Sequence, residues 1–99
     1  MSLYKEITFK GVVCNYHKIW SIDGEFAVQS PNSNEYTSIN VEVALYKDEA
    51  TRAINVGNYL RLKEYHFLHD TPNAPVNESI TKVYKALKHL PEFNEAVDV

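Results

Sequence analysis

The sequence predicts an α+β domain in which an antiparallel meander of four to five strands carries one C-terminal amphipathic helix packed on one face. In the last quarter of the chain, apolar side chains recur every three or four residues, as on one face of a helix. Almost everything upstream alternates between apolar and polar side chains, as in half-buried strands. The chain has 99 residues, of which 44% are hydrophobic, and this predicts a single domain over residues 1–99.

The first predicted strand runs over residues 5–13, with Ile7 and Phe9 on one face. We interpret Gly11 as a β-bulge or a close approach of the backbone. The next segment alternates again, and one of its two sides carries Tyr16, Lys18, Trp20 and Ile22. Because Asp23-Gly24 separates this segment from the apolar residues 26–28, the pattern predicts a tight hairpin turn at Asp-Gly.

Residues 30–38 are the most loop-like part of the chain, with one proline and two asparagines that favour turns. The segment is interpreted as an exposed hairpin tip or a mobile loop. A rigid sheet often presents functional residues on such loops, but a tolerated insertion without a partner explains the pattern equally well. Tyr36 is the side chain in it that is most typical of an interface.

Residues 39–46 form the clearest half-buried strand, with Ile39, Val41, Val43 and Leu45 on one face. Polar residues 47–52 then predict a turn or a short helical turn. Residues 59–68 predict another strand, although Leu60 and Leu62 fall on one face and Tyr65 and Phe67 on the other. A bulge near Lys63-Glu64 would reconcile the two halves.

The stretch over residues 76–93 predicts the helix that covers the sheet. Asn73 and Asn77 are possible N-caps, and Pro91 is expected to end the helix. The residues expected to anchor this region to the core are Ile80, Val83, Tyr84, Leu87, Leu90, Pro91 and Phe93.

Composition argues against several classes of protein. A net charge of -3 supplies no basic face for nucleic acid, and no apolar run approaches the ~20 residues of a membrane helix. The first residues lack the apolar segment of a signal peptide, so we expect the chain to fold in a cytoplasm. Cys14 is the only cysteine, which excludes an internal disulfide.

Two groups of residues have the composition of a chemical site but not its spacing. His66 and His69 are three apart, so on a strand they face opposite sides and converge on a metal only if the strand ends between them. Cys14 and His17 have the same spacing, and a buried thiol that packs as a small apolar group is the simpler interpretation. The sequence therefore predicts no catalytic residue, no metal site and no cofactor.

Both ends of the chain resemble small proteins of about a hundred residues encoded in tailed bacteriophages and prophages. The N-terminal pattern is Ile7-Thr8-Phe9-Lys10-Gly11-Val12. The C-terminal pattern is Tyr84-x-x-Leu87-Lys88-x-Leu90-Pro91-Glu92-Phe93-x-x-Ala96-Val97-Asp98-Val99. The resemblance implies a phage origin and a place in the virion or tail, and it transfers no catalytic motif.

The function expected from this resemblance is that of a non-enzymatic structural or accessory protein of the tail or neck. Its partners would be other copies of itself or other virion proteins, in the bacterial cytoplasm during assembly and in the virion afterwards. The alternatives are a small phage-encoded inhibitor of a host enzyme or defence protein, and a small-molecule binding protein or enzyme that uses the region of His66 and His69. The candidate interaction residues are Asn34, Glu35, Tyr36, Tyr46 and Tyr59.

Overall fold

The computed structural model describes residues 1–26, 36–68 and 80–99. Its strands are β1 (Leu3–Phe9), β2 (Val12–Phe26), β3 (Tyr36–Tyr46), β4 (Arg61–Leu68) and β5 (Val97–Asp98). Its helices are α1 (Glu49–Ile54), α2 (Ile80–Leu87) and a 3-10 turn over Pro91–Phe93. None of the helices described in these three ranges has the length and apolar character needed to cross a membrane.

The five strands form one antiparallel sheet in the order β4-β3-β2-β1-β5. The first four strands are each paired with their neighbour along the chain, which is the predicted meander. The short β5 adds to the outer side of β1, where Leu3 pairs with Asp98 and Tyr4 with Val97. The predicted α+β class with an antiparallel sheet is confirmed.

The connection between β1 and β2 is a tight turn at Lys10 and Gly11. Both residues have positive φ, 51° and 79° respectively. Two-residue hairpins favour this geometry because it matches the twist of the strands, and glycine adopts it without strain. The interpretation of Gly11 as a bulge was therefore wrong, because this glycine lies in the turn itself.

The predicted hairpin turn at Asp23-Gly24 was also wrong. Strand β2 continues through both residues to Phe26, with Asp23 paired to Asn40 and Gly24 to Ile39. The neighbouring strand supplies partners along this whole length, so pairing over a long sequence distance overrides the local turn signal. Residues 27–35, which include most of the predicted loop, lie outside the described part of the chain.

The register of β2 against β3 shifts between Ile19 and Ser21, where Trp20 is the additional residue. An extra residue reverses the alternation of faces beyond it. Simple alternation had predicted that Ile22 shares a face with Trp20. Because of the shift, Ile22 instead packs against the main core.

Strand β3 includes the predicted strand and begins earlier, at Tyr36, so residues 36–38 are strand instead of loop. Its pairing with β4 keeps one register from Ser38 opposite Leu68 to Leu45 opposite Arg61. The predicted bulge near Lys63-Glu64 was therefore wrong. The apparent change of phase in β4 arises because the strand packs apolar side chains on both of its faces.

The main core cluster contains buried residues of the sheet, of α2 and of the 3-10 turn, which are Leu3, Cys14, Ile39, Val41, Val43, Leu45, Phe67, Val83, Tyr84, Ala86, Leu87 and Phe93. The Tyr84 hydroxyl accepts a hydrogen bond from the Ile19 backbone N–H at 2.8 Å and donates one to the Met1 carbonyl at 2.9 Å. These bonds join α2 to β2 and to Met1, which precedes β1.

Three details of the C-terminal region differ from the prediction. Ile80, in the first turn of the described helix, is 50% exposed instead of buried. The helix ends at Leu87, three residues before the predicted Leu90. Pro91 begins the 3-10 turn, and the preceding residue is extended (φ -76°, ψ 146°), as expected for a residue before proline.

Candidate functional site

The face of the sheet opposite the main core carries a second, smaller cluster of buried side chains. Tyr16 and Tyr46 are paired across β2 and β3, and Ala44 pairs with the neighbouring Lys18. Tyr59 and Leu62 pack against this cluster and are partly buried. Because successive residues of a strand alternate between faces, the tyrosines here point away from the apolar residues of the main core.

Helix α1 and the loop that follows it border this second cluster. The Asp48 carboxylate caps the helix by accepting hydrogen bonds from the N–H and the hydroxyl of Thr51, both at 2.7 Å, and these bonds lower the pKa of Asp48. After the helix, the Val56 carbonyl accepts a hydrogen bond of 2.6 Å from the Tyr46 hydroxyl. The cap and this bond position Arg52, which lies in the last turn of α1.

A pocket of about 250 Å³ lies between α1 and strands β2 and β3. The side chains that line it include Lys18, Trp20, Ala44, Tyr46, Arg52 and Val56. Its walls thus combine aromatic and aliphatic groups with two cationic side chains. This combination is typical of small sites that bind an apolar body and orient one charged group.

Aromatic rings form one side of the pocket and continue onto the surface beside it. The rings of Trp20 and Tyr59 meet edge to face with centroids 5.1 Å apart, and Tyr59 approaches Tyr46 at 6.5 Å. Trp20 remains 45% exposed and Val56 51% exposed. The pocket therefore opens beside apolar surface instead of closing into the core.

Two of the side chains that line the pocket, Lys18 and Arg52, are cationic in a chain whose net charge is -3. Burial raises the pKa of the Tyr46 hydroxyl, while the nearby Arg52 guanidinium opposes this shift. The charge of Lys18, with smaller contributions from burial and Arg52, lowers the pKa of the Met1 amino group. The pocket would therefore favour an anionic ligand.

The predicted interaction residues are divided between this site and the rest of the chain. Tyr46 is 1% exposed, and its ring belongs to the second cluster and lines the pocket. Tyr59 is half-buried beside Trp20. Tyr36 begins β3, while Asn34 and Glu35 lie outside the described residues.

The sequence arguments did not identify Lys18, Trp20 or Arg52 as site residues. Alternation did place Lys18 and Trp20 on the same side of the strand as Tyr16. The sequence could therefore have indicated that these two side chains lie close together. Arg52 could not have been added, because nothing in the local pattern indicates which face of the sheet α1 approaches.

Spacing had suggested two candidate chemical sites, Cys14 with His17 and His66 with His69. The described members of both make other contacts. His17 is fully buried, and its Nε2–H donates to the Lys5 carbonyl at 2.6 Å. The buried Cys14 thiol lies 3.9 Å from the Val12 carbonyl, and burial raises its pKa, which is the opposite of activation. His66 Nδ1 contacts the Asn40 side chain, while His69 lies outside the described residues.

Both Cys14 and His17 border the main core, although simple alternation had placed them on opposite faces. The register of β1 against β2 shifts between Tyr4 and Ile7, opposite the part of β2 that holds both residues. In residues 1–26, 36–68 and 80–99, no group of three or more His, Cys, Asp or Glu side chains has the arrangement of a metal site.

Comparisons with protein-family models, with curated proteins and with solved structures found no match for this chain. The resemblance to phage proteins therefore stays a prediction.

Proposed function

We propose that this protein is a non-enzymatic structural or accessory protein of a tailed bacteriophage, which acts through protein–protein contacts as a repeated subunit of the tail or neck. The similarity of its two ends to small phage proteins supports the phage origin. The open edges of its sheet support a role in contacts between subunits. In this proposal α2 covers one face of the sheet, so that contacts fall on the edges and on the opposite face.

The single observation that carries the contact role is that, among the described residues, the sheet has unpaired strand on both sides. The outer edge of β4 has no strand partner among the described residues, and β1 pairs with β5 only at Leu3 and Tyr4. Unpaired edges offer backbone donors and acceptors that another chain can extend as an added strand. Pairing β4 of one copy with residues 5–9 of the next would be a head-to-tail contact, which closes a ring or extends a filament.

A matched pair of substitutions tests this contact by gel filtration at several protein concentrations. Leu68, at the end of β4, and Ile80, in α2, are 51% and 50% exposed. We expect the unmodified protein to elute as a multimer whose mass rises with concentration, and Leu68→Lys to shift it towards the monomer. Ile80→Lys introduces the same charge away from the edge and should leave the multimer intact. A protein that stays monomeric at every concentration would contradict a repeated subunit.

Mass spectrometry of purified virions tests the place of action. The protein should be present in the particle in many copies if it is a tail or neck subunit. If it is absent from the particle, and a single host protein is recovered with it from lysate, the inhibitor of a host enzyme or defence protein becomes the better proposal.

A further inference from the structure

The two cationic side chains of the pocket between α1 and the sheet differ in their partners from Lys63 and Lys88. Lys63 pairs with Glu92, and Lys88 pairs with Asp98 at 2.9 Å. Within the described part of the chain, neither Lys18 nor Arg52 forms an ion pair with a carboxylate. The nearby Glu42 carboxylate instead accepts a hydrogen bond from the Ser21 hydroxyl at 2.8 Å.

Arg52 carries the more specific indication of a ligand. Its Nε is buried and has no hydrogen-bond partner among the described residues. A buried donor without an acceptor is costly, and an arginine N–H is best satisfied by a carboxylate that accepts two parallel bonds. Within the described ranges Lys18 Nζ donates to the Met1 carbonyl alone, at 2.9 Å, so it keeps further donor capacity.

The surroundings of the two cations indicate what else the ligand carries. Trp20 and Val56 are half exposed at the pocket, and Ala44 and Tyr46 form its buried wall. A volume of about 250 Å³ accommodates one side chain and little more. Exposed tryptophan, tyrosine and arginine together are also the residues that most often dominate protein–protein binding.

We propose that this pocket binds a carboxylate of an acidic segment of a partner protein, with Arg52 and Lys18 on the carboxylate and Trp20 against an adjacent apolar side chain. The inference rests on the proposed role in protein–protein contacts and names the chemistry of the partner. Charge complementarity favours an acidic segment, since these two cations lie in a chain whose net charge is -3. A bare inorganic anion would leave the aromatic wall of the pocket without a contact.

Trp20 makes the proposal directly measurable, because it is the only tryptophan of the chain and it lines the pocket. The full chain is titrated with a capped five-residue peptide that has one glutamate between two leucines, and tryptophan fluorescence is recorded. A second peptide with glutamine in place of glutamate is the matched ligand, and inorganic phosphate is the third probe. We expect a saturable change with the glutamate peptide and binding at least about tenfold weaker with the glutamine peptide.

Variants of the protein test the two cations separately. Lys18→Gln and Arg52→Gln should each weaken binding of the glutamate peptide by about tenfold, while Lys82→Gln, on the exposed side of α2, should leave it unchanged. Circular dichroism of each variant shows that it is folded before it is titrated. The glutamate and glutamine peptides are compared on the unmodified protein. This comparison therefore tests the pocket even if a variant fails to fold.

Three results would overturn the proposal: no saturable response, an equal response to the two peptides, or a response to phosphate as strong as that to the glutamate peptide. The last would assign the pocket to a small inorganic anion. A protein that is found in virions but does not bind the peptide would reject the pocket alone. A protein that binds the peptide but is missing from virions would reject the phage structural role alone.

Discussion

The two faces of the sheet are built from the same strands but bury very different amounts of apolar surface. Among the described residues, one face belongs to the main core, a cluster of twelve buried residues that includes Val83, Leu87 and Phe93. The other face has a cluster of three, Tyr16, Ala44 and Tyr46. The first face therefore supplies most of the hydrophobic stabilisation, since that term grows with the apolar area removed from water.

The difference extends to polar groups. Tyr84, on α2, uses its hydroxyl both to accept and to donate, and so satisfies two backbone groups. On the other face, among the described residues, Arg52 keeps a buried nitrogen without a partner and Lys18 forms no ion pair. The unpaired Arg52 nitrogen lies beside a pocket and is suited to bind a ligand, whereas His17 Nδ1, also unpaired among the described residues, lies beside the main core.

The largest loss of stability should come from truncating a buried side chain of the well-packed face. Leu87→Ala removes a fully buried side chain of the main core cluster and leaves a cavity there, which should lower the free energy of unfolding by about 2–5 kcal/mol. Urea denaturation measures this change. Lys85→Ala, an exposed position of the same helix, is the control and should change stability little. Equal unfolding curves for Leu87→Ala and the original chain would show that α2 does not stabilise the sheet.

A pair of tyrosine substitutions compares the faces directly. Tyr84→Phe removes the acceptor of the Ile19 N–H and the donor to the Met1 carbonyl, and should cost about 1–3 kcal/mol. Tyr46→Phe removes one bond, to the carbonyl of the half-exposed Val56, where water can replace it, and should cost about 0.5–1.5 kcal/mol. The two values come from thermal or urea unfolding under the same conditions. The reverse order would mean that the smaller cluster is the more important one for stability.

Acid should destabilise the protein through His17, beside the well-packed face. Burial lowers the pKa of this imidazole, against a smaller opposing effect of its hydrogen bond to Lys5, and Nδ1 has no partner among the described residues. As the pH falls below about 6.5, the unfolded chain therefore binds a proton before the folded chain does. Stability is full above that pH and should fall by at most about 1.4 kcal/mol per pH unit between it and the lowered pKa.

The pH dependence of the free energy of unfolding, recorded with and without His17→Met, separates this group from the carboxylates. The variant should lose the slope just below pH 6.5, and His66→Gln, which removes an exposed imidazole, should keep it. A slope that survives in His17→Met would assign the dependence to another group.

The smallest loss of stability should come from removing the Glu92 carboxylate at the edge of the well-packed face. Glu92 accepts hydrogen bonds from Lys63 and Tyr65; burial alone would raise its pKa, but these bonds outweigh it and lower the pKa. Since the Glu92 side chain is 41% exposed, solvent screens the pair, and Glu92→Gln should cost about 0.2–1 kcal/mol. The cost should shrink as salt is added. Glu6→Gln, an exposed carboxylate in β1, is the control, and a cost that does not change with salt would contradict an ionic contribution.

Sequence patterns predicted the elements whose side chains repeat at a regular period. Alternation in β3 identified the strand that supplies four residues to the main core, and the helical repeat identified Val83 and Leu87 on α2. The patterns failed where a partner distant in sequence determines the outcome. Asp23-Gly24 has the composition of a turn, yet it is strand because β3 lies beside it.

The candidate pocket was only partly predictable for the same reason. Lys18 and Trp20 share a face by alternation within a single strand, so the sequence indicates their proximity. Arg52 joins them because Asp48 caps α1 and the Tyr46 hydroxyl binds the following loop. No periodic pattern in the sequence predicts this contact between α1 and the sheet.

By itself, the sequence determined the class of this fold, an antiparallel sheet with a helix near the C-terminus, because alternation and helical repeats depend on residues only a few positions apart. The tertiary structure alone decided which turns form, where β2 shifts its register, and which cations lie without acidic partners around Trp20. These features depend on pairing and packing between segments far apart in the chain, and such contacts form only when the whole sheet is assembled.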